Sequence, residues 1–174
     1  MKIYIGSDHA GYELKKKVDE YLRELGHEVE DKGAMTYNPD DDYPDFIRPV
    51  AEAVAKDVAK NPSTALGASR GIVIGGSGQG EAICANRTPG VRATVFYGGR
   101  LPYEPADIKG KESFNPFEMV VLSRTHNDAN VLSLAARFLL EEEAKKAIKI
   151  WLETPFEGGR HVRRIQKLDS VQKI

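Results

Sequence analysis

The sequence predicts a doubly wound α/β sandwich built on five parallel strands, and three observations carry that prediction. Five short apolar segments rich in β-branched residues alternate along the chain with stretches whose apolar residues recur at helical spacing. The first strands and helices are joined by brief turns, so strand, helix and strand form a βαβ unit with a right-handed crossover. Ile72-Val73-Ile74 is an unbroken β-branched run, as expected of a strand covered on both faces, and it leads directly into four glycines in six residues.

Lys2-Ile3-Tyr4-Ile5 is the first strand and ends in Gly6-Ser7-Asp8-His9-Ala10-Gly11. Leu14, Val18, Leu22 and Leu25 then mark one face of a helix over 11–25, with Gly26 as its stop. Residues 27–31 are a short second strand. The polar stretch 34–43 carries Asp40, Asp41 and Asp42 in a row, a pattern that more often covers a solvated face than a cation site. Alanine content and the face Phe46, Val50, Val54 and Val58 predict a helix over 45–60, stopped by Asn61-Pro62-Ser63. The third strand, 72–74, passes through the glycine turn into a short helix opening near Glu81. Residues 92–97 are the fourth strand. The stretch 98–116 is rich in Gly, Pro and charge without a period, and its length marks a lid or an insertion. A short helix over 117–125 and the fifth strand over 130–134 follow. Ala144, Ile148 and Trp151 share a face of a helix over 141–152. Pro155 and Gly158-Gly159 break the chain before a basic helix from Arg160 to about Val171. Residues 1–174 are read as one domain with a loop insertion at 98–116.

A net charge of −1 gives no field to attract nucleic acid or a membrane surface, and no apolar run is long enough to cross a bilayer. Cys84 is the single cysteine, so an intrachain disulfide is excluded and a reducing compartment fits. The chain opens on a strand-length apolar run followed at once by Asp8 and His9, which is not a signal peptide; the expected location is cytoplasmic.

In a doubly wound sheet, ligands gather beyond the carboxyl ends of the strands. The turns after the first, third and fifth strands therefore form the candidate site. They carry Asp8 and His9, the glycine turn with Glu81, and Arg137. Glycines let main-chain N–H groups approach a ligand, and a helix start adds unpaired donors, so the turn suits anionic oxygen. No Lys-Ser or Lys-Thr closes it, so it is not a Walker A loop, and its spacing is wrong for a dinucleotide fingerprint. A carboxylate at position 81 competes with a bound anion, so Glu81 is read as a base acting on a substrate whose oxygens the turn holds. The helix start pulls its pKa down and burial pushes it up, and the sequence leaves that balance open. Each piece also has a purely structural reading. The glycines could serve a tight turn, Asp8 a helix N-cap, and His126-Asn127-Asp128 a turn. Arg160, Arg163 and Arg164 could be a solvated helix face, and Cys84 a small buried hydrophobe. Against these stand the fitness of histidine for proton transfer near neutral pH and of arginine for gripping phosphate. No Cys/His set has metal spacing.

Four motifs lie in order along the chain: Gly-Ser-Asp-His-Ala-Gly at 6–11, Gly-Gly-Ser-Gly-Gln-Gly-Glu at 75–81, Thr-His-Asn-Asp-Ala-Asn at 125–130 and Glu-Gly-Gly-Arg-His-Val-Arg-Arg at 157–164. Together they resemble the type B ribose-5-phosphate isomerases, which share a family with the galactose-6-phosphate isomerases. The likeness covers nearly the whole chain except 98–116 and 56–69. It implies a Rossmann-like three-layer α/β/α sandwich, a homodimer with shared active sites or a tetramer, a small-molecule sugar phosphate as substrate, and neither cofactor nor metal. The implied reaction interconverts ribose 5-phosphate and ribulose 5-phosphate through an enediolate. One branch of the family carries Cys where this chain has Gly75. The other carries Gly there and Glu on the following helix, so the match implies Glu81 as the base. By the same match His126 opens the sugar ring, with Asp8 beside the substrate as helper. The backbone of Gly76, Ser77, Gly78, Gln79 and Gly80 forms the anion hole. His9, Arg137, Arg160 and Arg164 hold the phosphate, and Asn127 binds the sugar. His126, Asn127 and Arg137 are expected from the partner subunit. The unmatched stretch 98–116 also admits a six-carbon sugar phosphate as substrate. A non-catalytic sugar-phosphate binder is a further reading, and the presence of both Glu81 and His126 argues against it.

Overall fold

The computed structural model describes residues 1–60, 68–106, 110 and 112–170; Asn61-Pro62-Ser63, part of the 98–116 stretch and Val171 lie outside them. Five strands form one all-parallel sheet: β1 Lys2–Ser7, β2 Glu28–Asp31, β3 Arg70–Gly75, β4 Ala93–Phe96 and β5 Val131–Ala135. Their order is β2-β1-β3-β5-β4. The helices are α1 Tyr12–Glu24, α2 Pro44–Val58, α3 Gln79–Ala85, α4 Glu118–Thr125, α5 Glu141–Glu153 and α6 Arg160–Ser170. All five strands lie where periodicity and β-branched content predict them.

Side chains alternate across the sheet, which is why it needs a helical layer on each face. Ile3, Ile5, Ile72, Ile74, Leu132 and Leu134 pack with Val18 and Leu22 of α1 and Ile148 and Trp151 of α5. Tyr4, Val73 and Val131 point the other way, onto Ile47, Val50 and Val54 of α2 and Ala85 of α3. The buried face of α2 differs from the predicted one. Ile47, Val50, Ala51 and Val54 are fully buried, whereas Phe46 and Val58 are half-buried. A row at steps of four drifts about 40° per step around a helix of 3.6 residues per turn, while the set at 47, 50, 51 and 54 stays on one stripe. Leu25 lies past the last turn of α1 and is exposed.

The strand order sets the location of the cleft. From the adjacent pair β1 and β3, the chain winds to β2 on one side and to β5 and β4 on the other. The carboxyl ends of β1 and β3 therefore flank the crevice where the winding reverses, the usual ligand position in such sheets.

Candidate active site

The first wall of the crevice grows out of β1. Asp8 caps the turn that follows, its Oδ1 accepting the Gly11 N–H at 3.1 Å. The stretch 34–43 is fastened to the same strand end. Ser7 N–H donates to the Gly33 carbonyl and Ala34 N–H to the Ser7 carbonyl, both at 2.8 Å. The buried Lys15 ammonium reaches both Asp31 carboxylate oxygens, at 2.6 and 2.8 Å, and the Ala34 carbonyl at 2.7 Å. The loop so pinned delivers Asp41 onto His9. Asp41 Oδ1 lies 2.7 Å from His9 Nδ1 and accepts the His9 backbone N–H at 3.1 Å. This corrects the reading of the three aspartates as a solvated face. Asp40 and Asp42 are exposed, but the Asp41 side chain is only 5% exposed. The hydrogen bond that His9 donates to Asp41 raises the His9 pKa; burial opposes it, the charges of Asp8 and Asp41 add to it, and Arg137 opposes it.

The second wall is the glycine turn. Gly78 stands at φ 72°, a left-handed conformation that glycine adopts without strain, and caps α3. Its carbonyl accepts the buried Ser133 hydroxyl of β5 at 2.7 Å, which fixes the turn against the sheet. Helix α3 opens at Gln79, so Glu81 falls in its first turn rather than at its start. Glu81 is only 4% exposed, and its carboxylate folds back over the last residue of β3. A Cβ built on Gly75 would stand 1.9 Å from Glu81 Oε1 and 2.1 Å from Cδ. The missing side chain at position 75 is thus the space the carboxylate occupies. Burial raises the Glu81 pKa; a hydrogen bond from its own backbone N–H opposes this and the Asp8 charge adds to it. Desolvation therefore outweighs the backbone hydrogen bond, and the carboxylate is a stronger base than an ordinary surface glutamate.

Arg137 completes this end. Since β5 lies beside β3 with Ala135 opposite Gly75, residue 137 falls next to the glycine turn. Its N–H donates to the Gly76 carbonyl at 3.1 Å. Its guanidinium carbon would lie 3.1 Å from a Cβ on Gly76. The expectation that Arg137 arrives from a partner subunit is corrected: this chain's own strand register brings it to its own turn. Ser77 is exposed, with its hydroxyl accepting the Gln79 N–H at 3.3 Å. Tyr43, not singled out in the sequence, packs its ring 3.1–3.3 Å from where a Gly80 Cβ would lie. Its only sequence signal is its place just before Pro44 at the start of α2.

The remaining expected residues gather elsewhere. His126 caps the carboxyl end of α4. Its ring stacks on His161 at 4.2 Å and 12° between planes, and its Nε2 lies 3.7 Å from Glu157. Arg160 Nε donates to His161 Nε2 at 3.3 Å. Asn127, Arg160 and Arg164 are exposed. Asp128, at φ 44°, holds the turn by taking Arg124 and Arg92 at 2.9 Å each. Residues 126–130 lead from the end of α4 straight into the first residue of β5, so this cluster sits at the amino end of the sheet. Asn130, just beyond it, accepts the N–H of Gly71 at the start of β3. Five residues of β5 span about 17 Å at ~3.3 Å per residue. His126, Asn127, Arg160 and Arg164 are therefore at the opposite end of the sheet from Glu81 of the same chain.

Two groups among the described residues bring metal-capable atoms within 4.8 Å of one another: His126, Glu157 and His161, and Asp8, His9 and Asp41. The near-parallel rings of the first send their lone pairs past each other rather than to a shared point. In the second, Asp41 already engages His9 Nδ1.

A family model described as Ribose/Galactose Isomerase matches residues 3–99 and 114–168. Ribose-5-phosphate isomerase B of Mycobacterium tuberculosis is 34% identical over 174 residues, covering 99% of this chain and 91% of that protein. The structure of ribose-5-phosphate isomerase B from Clostridium thermocellum superposes with a TM-score of 0.80 at 39% identity, covering 99% of this chain and 98% of that one. The structure of the Mycoplasma genitalium protein with bound ribulose-5-phosphate gives a TM-score of 0.81 at 34% identity, covering 99% and 96%.

Proposed function

This chain belongs to the ribose/galactose isomerase family, and from that membership we propose that it interconverts ribose 5-phosphate and ribulose 5-phosphate, with Glu81 moving the proton between C1 and C2. The observation that carries the role of Glu81 is its buried carboxylate, seated in the side-chain space left by Gly75 at the mouth of the crevice. A base there can take the proton and return it on the same face of an enediolate. The developing oxyanion needs preorganised donors, and the start of α3 supports that role because the first N–H groups of a helix lack intrahelical acceptors. His9 and Arg137, on either side of the turn, suit the phosphate.

The proposal includes a second copy of the chain. Ring opening needs an acid–base group besides Glu81, and His126 of the same chain is at the far end of the sheet. A partner presenting His126, Asn127, Arg160 and Arg164 to this crevice would complete the site, so a homodimer with shared active sites is proposed. The stretch 98–116, of which the family model leaves 100–113 unmatched, is proposed as an insertion within one domain. No helix among the described residues is long and apolar enough to cross a membrane; a cytoplasmic location is part of the proposal.

Exchange of solvent deuterium into ribose 5-phosphate tests the reaction directly. Label at C2 of recovered aldose, seen by proton NMR together with ribulose 5-phosphate, is the expected result. Tight calorimetric binding of the sugar phosphate with neither exchange nor interconversion would make the protein a binder and reject the proposal.

A further inference from the structure

The pinned loop 34–43 brings one carboxylate into the crevice that the reaction above leaves without a task. Both the ring Nδ1 and the backbone N–H of His9 converge on Asp41 Oδ1, at 2.7 and 3.1 Å. The other oxygen, Oδ2, is buried and has no hydrogen-bond partner among the described residues. A buried carboxylate oxygen without a donor is costly, so this side chain is poorly explained as a fastener of the loop, and both donors it takes belong to His9.

Resting on the proposed phosphate-binding role of His9, we propose that Asp41 is a positioning residue that makes phosphate capture by His9 depend on the protonation of its ring. The chemistry follows from the two ring nitrogens. Nδ1 donates its hydrogen to Asp41, so Nε2 of neutral His9 carries a lone pair and repels a phosphate oxygen. Only the imidazolium donates at Nε2. The charged groups facing His9 are Asp41 from the loop before α2, Asp8 from its own turn, and Arg137 from the end of β5. Two carboxylates against one guanidinium favour the cation, and the Asp41 bond supports it further. Asp41 thus both selects which nitrogen faces away from the loop and stabilises the form that binds.

Asp41→Asn keeps the shape and removes the charge. Its amide can also turn and donate to Nδ1, which leaves a proton on Nε2 of the neutral ring. Three readouts are compared across wild type, Asp41→Asn and Asp41→Glu: NMR titration of the His9 ring, binding of inorganic phosphate across pH, and kcat/KM for ribose 5-phosphate across pH. Asp41→Asn is expected to lower the His9 midpoint, to weaken phosphate binding about tenfold on the acidic side, and to flatten its decline with rising pH. The kinetic loss should lie mainly in KM. Asp41→Glu is expected to restore the raised midpoint. An unchanged His9 midpoint and an unchanged pH profile in Asp41→Asn overturn the proposal, as does a loss of affinity equal at every pH. The titration and phosphate arms need no turnover. Wild-type protein that binds phosphate as described but does not isomerise would reject the enzymatic reading alone.

Discussion

Adding one methyl group at position 75 tests whether the space above β3 belongs to the base. In Gly75→Ala the new carbon would stand 1.9 Å from Glu81 Oε1 and 2.1 Å from its Cδ, where a relaxed contact needs about 3.5 Å. The carboxylate must retreat by about 1.5 Å, and a misplacement of ~1 Å already costs about 10²-fold in rate. Full loss of a general base costs ~10²–10⁴-fold, so kcat should fall by two to four orders of magnitude on those two scales. Gly75 is not among the residues with positive φ, so the backbone itself admits alanine. The stability cost should be that of overpacking, about 1–3 kcal/mol, and should vanish once the obstructing side chain is removed. Turnover is measured on Gly75→Ala, and urea unfolding on Gly75→Ala, Glu81→Ala and the double variant. A cycle coupling of ~1 kcal/mol or more is expected, because the two groups share one space. If Gly75→Ala keeps more than about a tenth of the wild-type rate, against the general-base scale, the assignment of that space to the base is refuted. A stability penalty that persists in the Glu81→Ala background refutes it as well.

Glu81→Gln should lose turnover yet melt higher than wild type at neutral and alkaline pH. Burial raises the Glu81 pKa, so the folded state holds the proton more tightly than the unfolded chain. The stabilisation from protonation is present in acid and lost as pH rises through the folded value, so the gap in melting temperature should close below the ordinary carboxyl range. Mixing equal amounts of Glu81→Gln and His126→Ala copies, each inactive alone, should restore about a quarter of wild-type activity. Half the dimers are then mixed and one of their two symmetric sites is intact; no recovery after subunit exchange would refute the shared site. Asp128→Ala should cost about 3–5 kcal/mol in urea unfolding, because it takes the buried carboxylate away from the guanidiniums of Arg124 and Arg92. A loss under ~1 kcal/mol, the scale of a surface pair, would show that the cluster is not structural.

The amino-acid sequence by itself determined the five strands, the helices between them, and the crowding of chemistry-bearing residues into strand-end turns. These are legible because alternation, helical period and glycine content act over a few neighbouring residues. It also determined Glu81 as the anomalous carboxylate of the glycine turn. Tertiary structure decided the rest. The order β2-β1-β3-β5-β4 put Arg137 beside its own chain's Gly76, which no local pattern encodes. The fastening of the 34–43 loop by Lys15 turned the middle of three like aspartates into a partner of His9. Burial set the upward direction of the Glu81 pKa. The parallel pairing of β3 and β5 separated His126, which precedes β5, from Glu81, which follows β3, although their motifs look like parts of one site. In each case the deciding quantity was which groups are neighbours in space, and so how far each charge is removed from water. That quantity belongs to the packed sheet and its two helical layers, not to the order of residues along the chain.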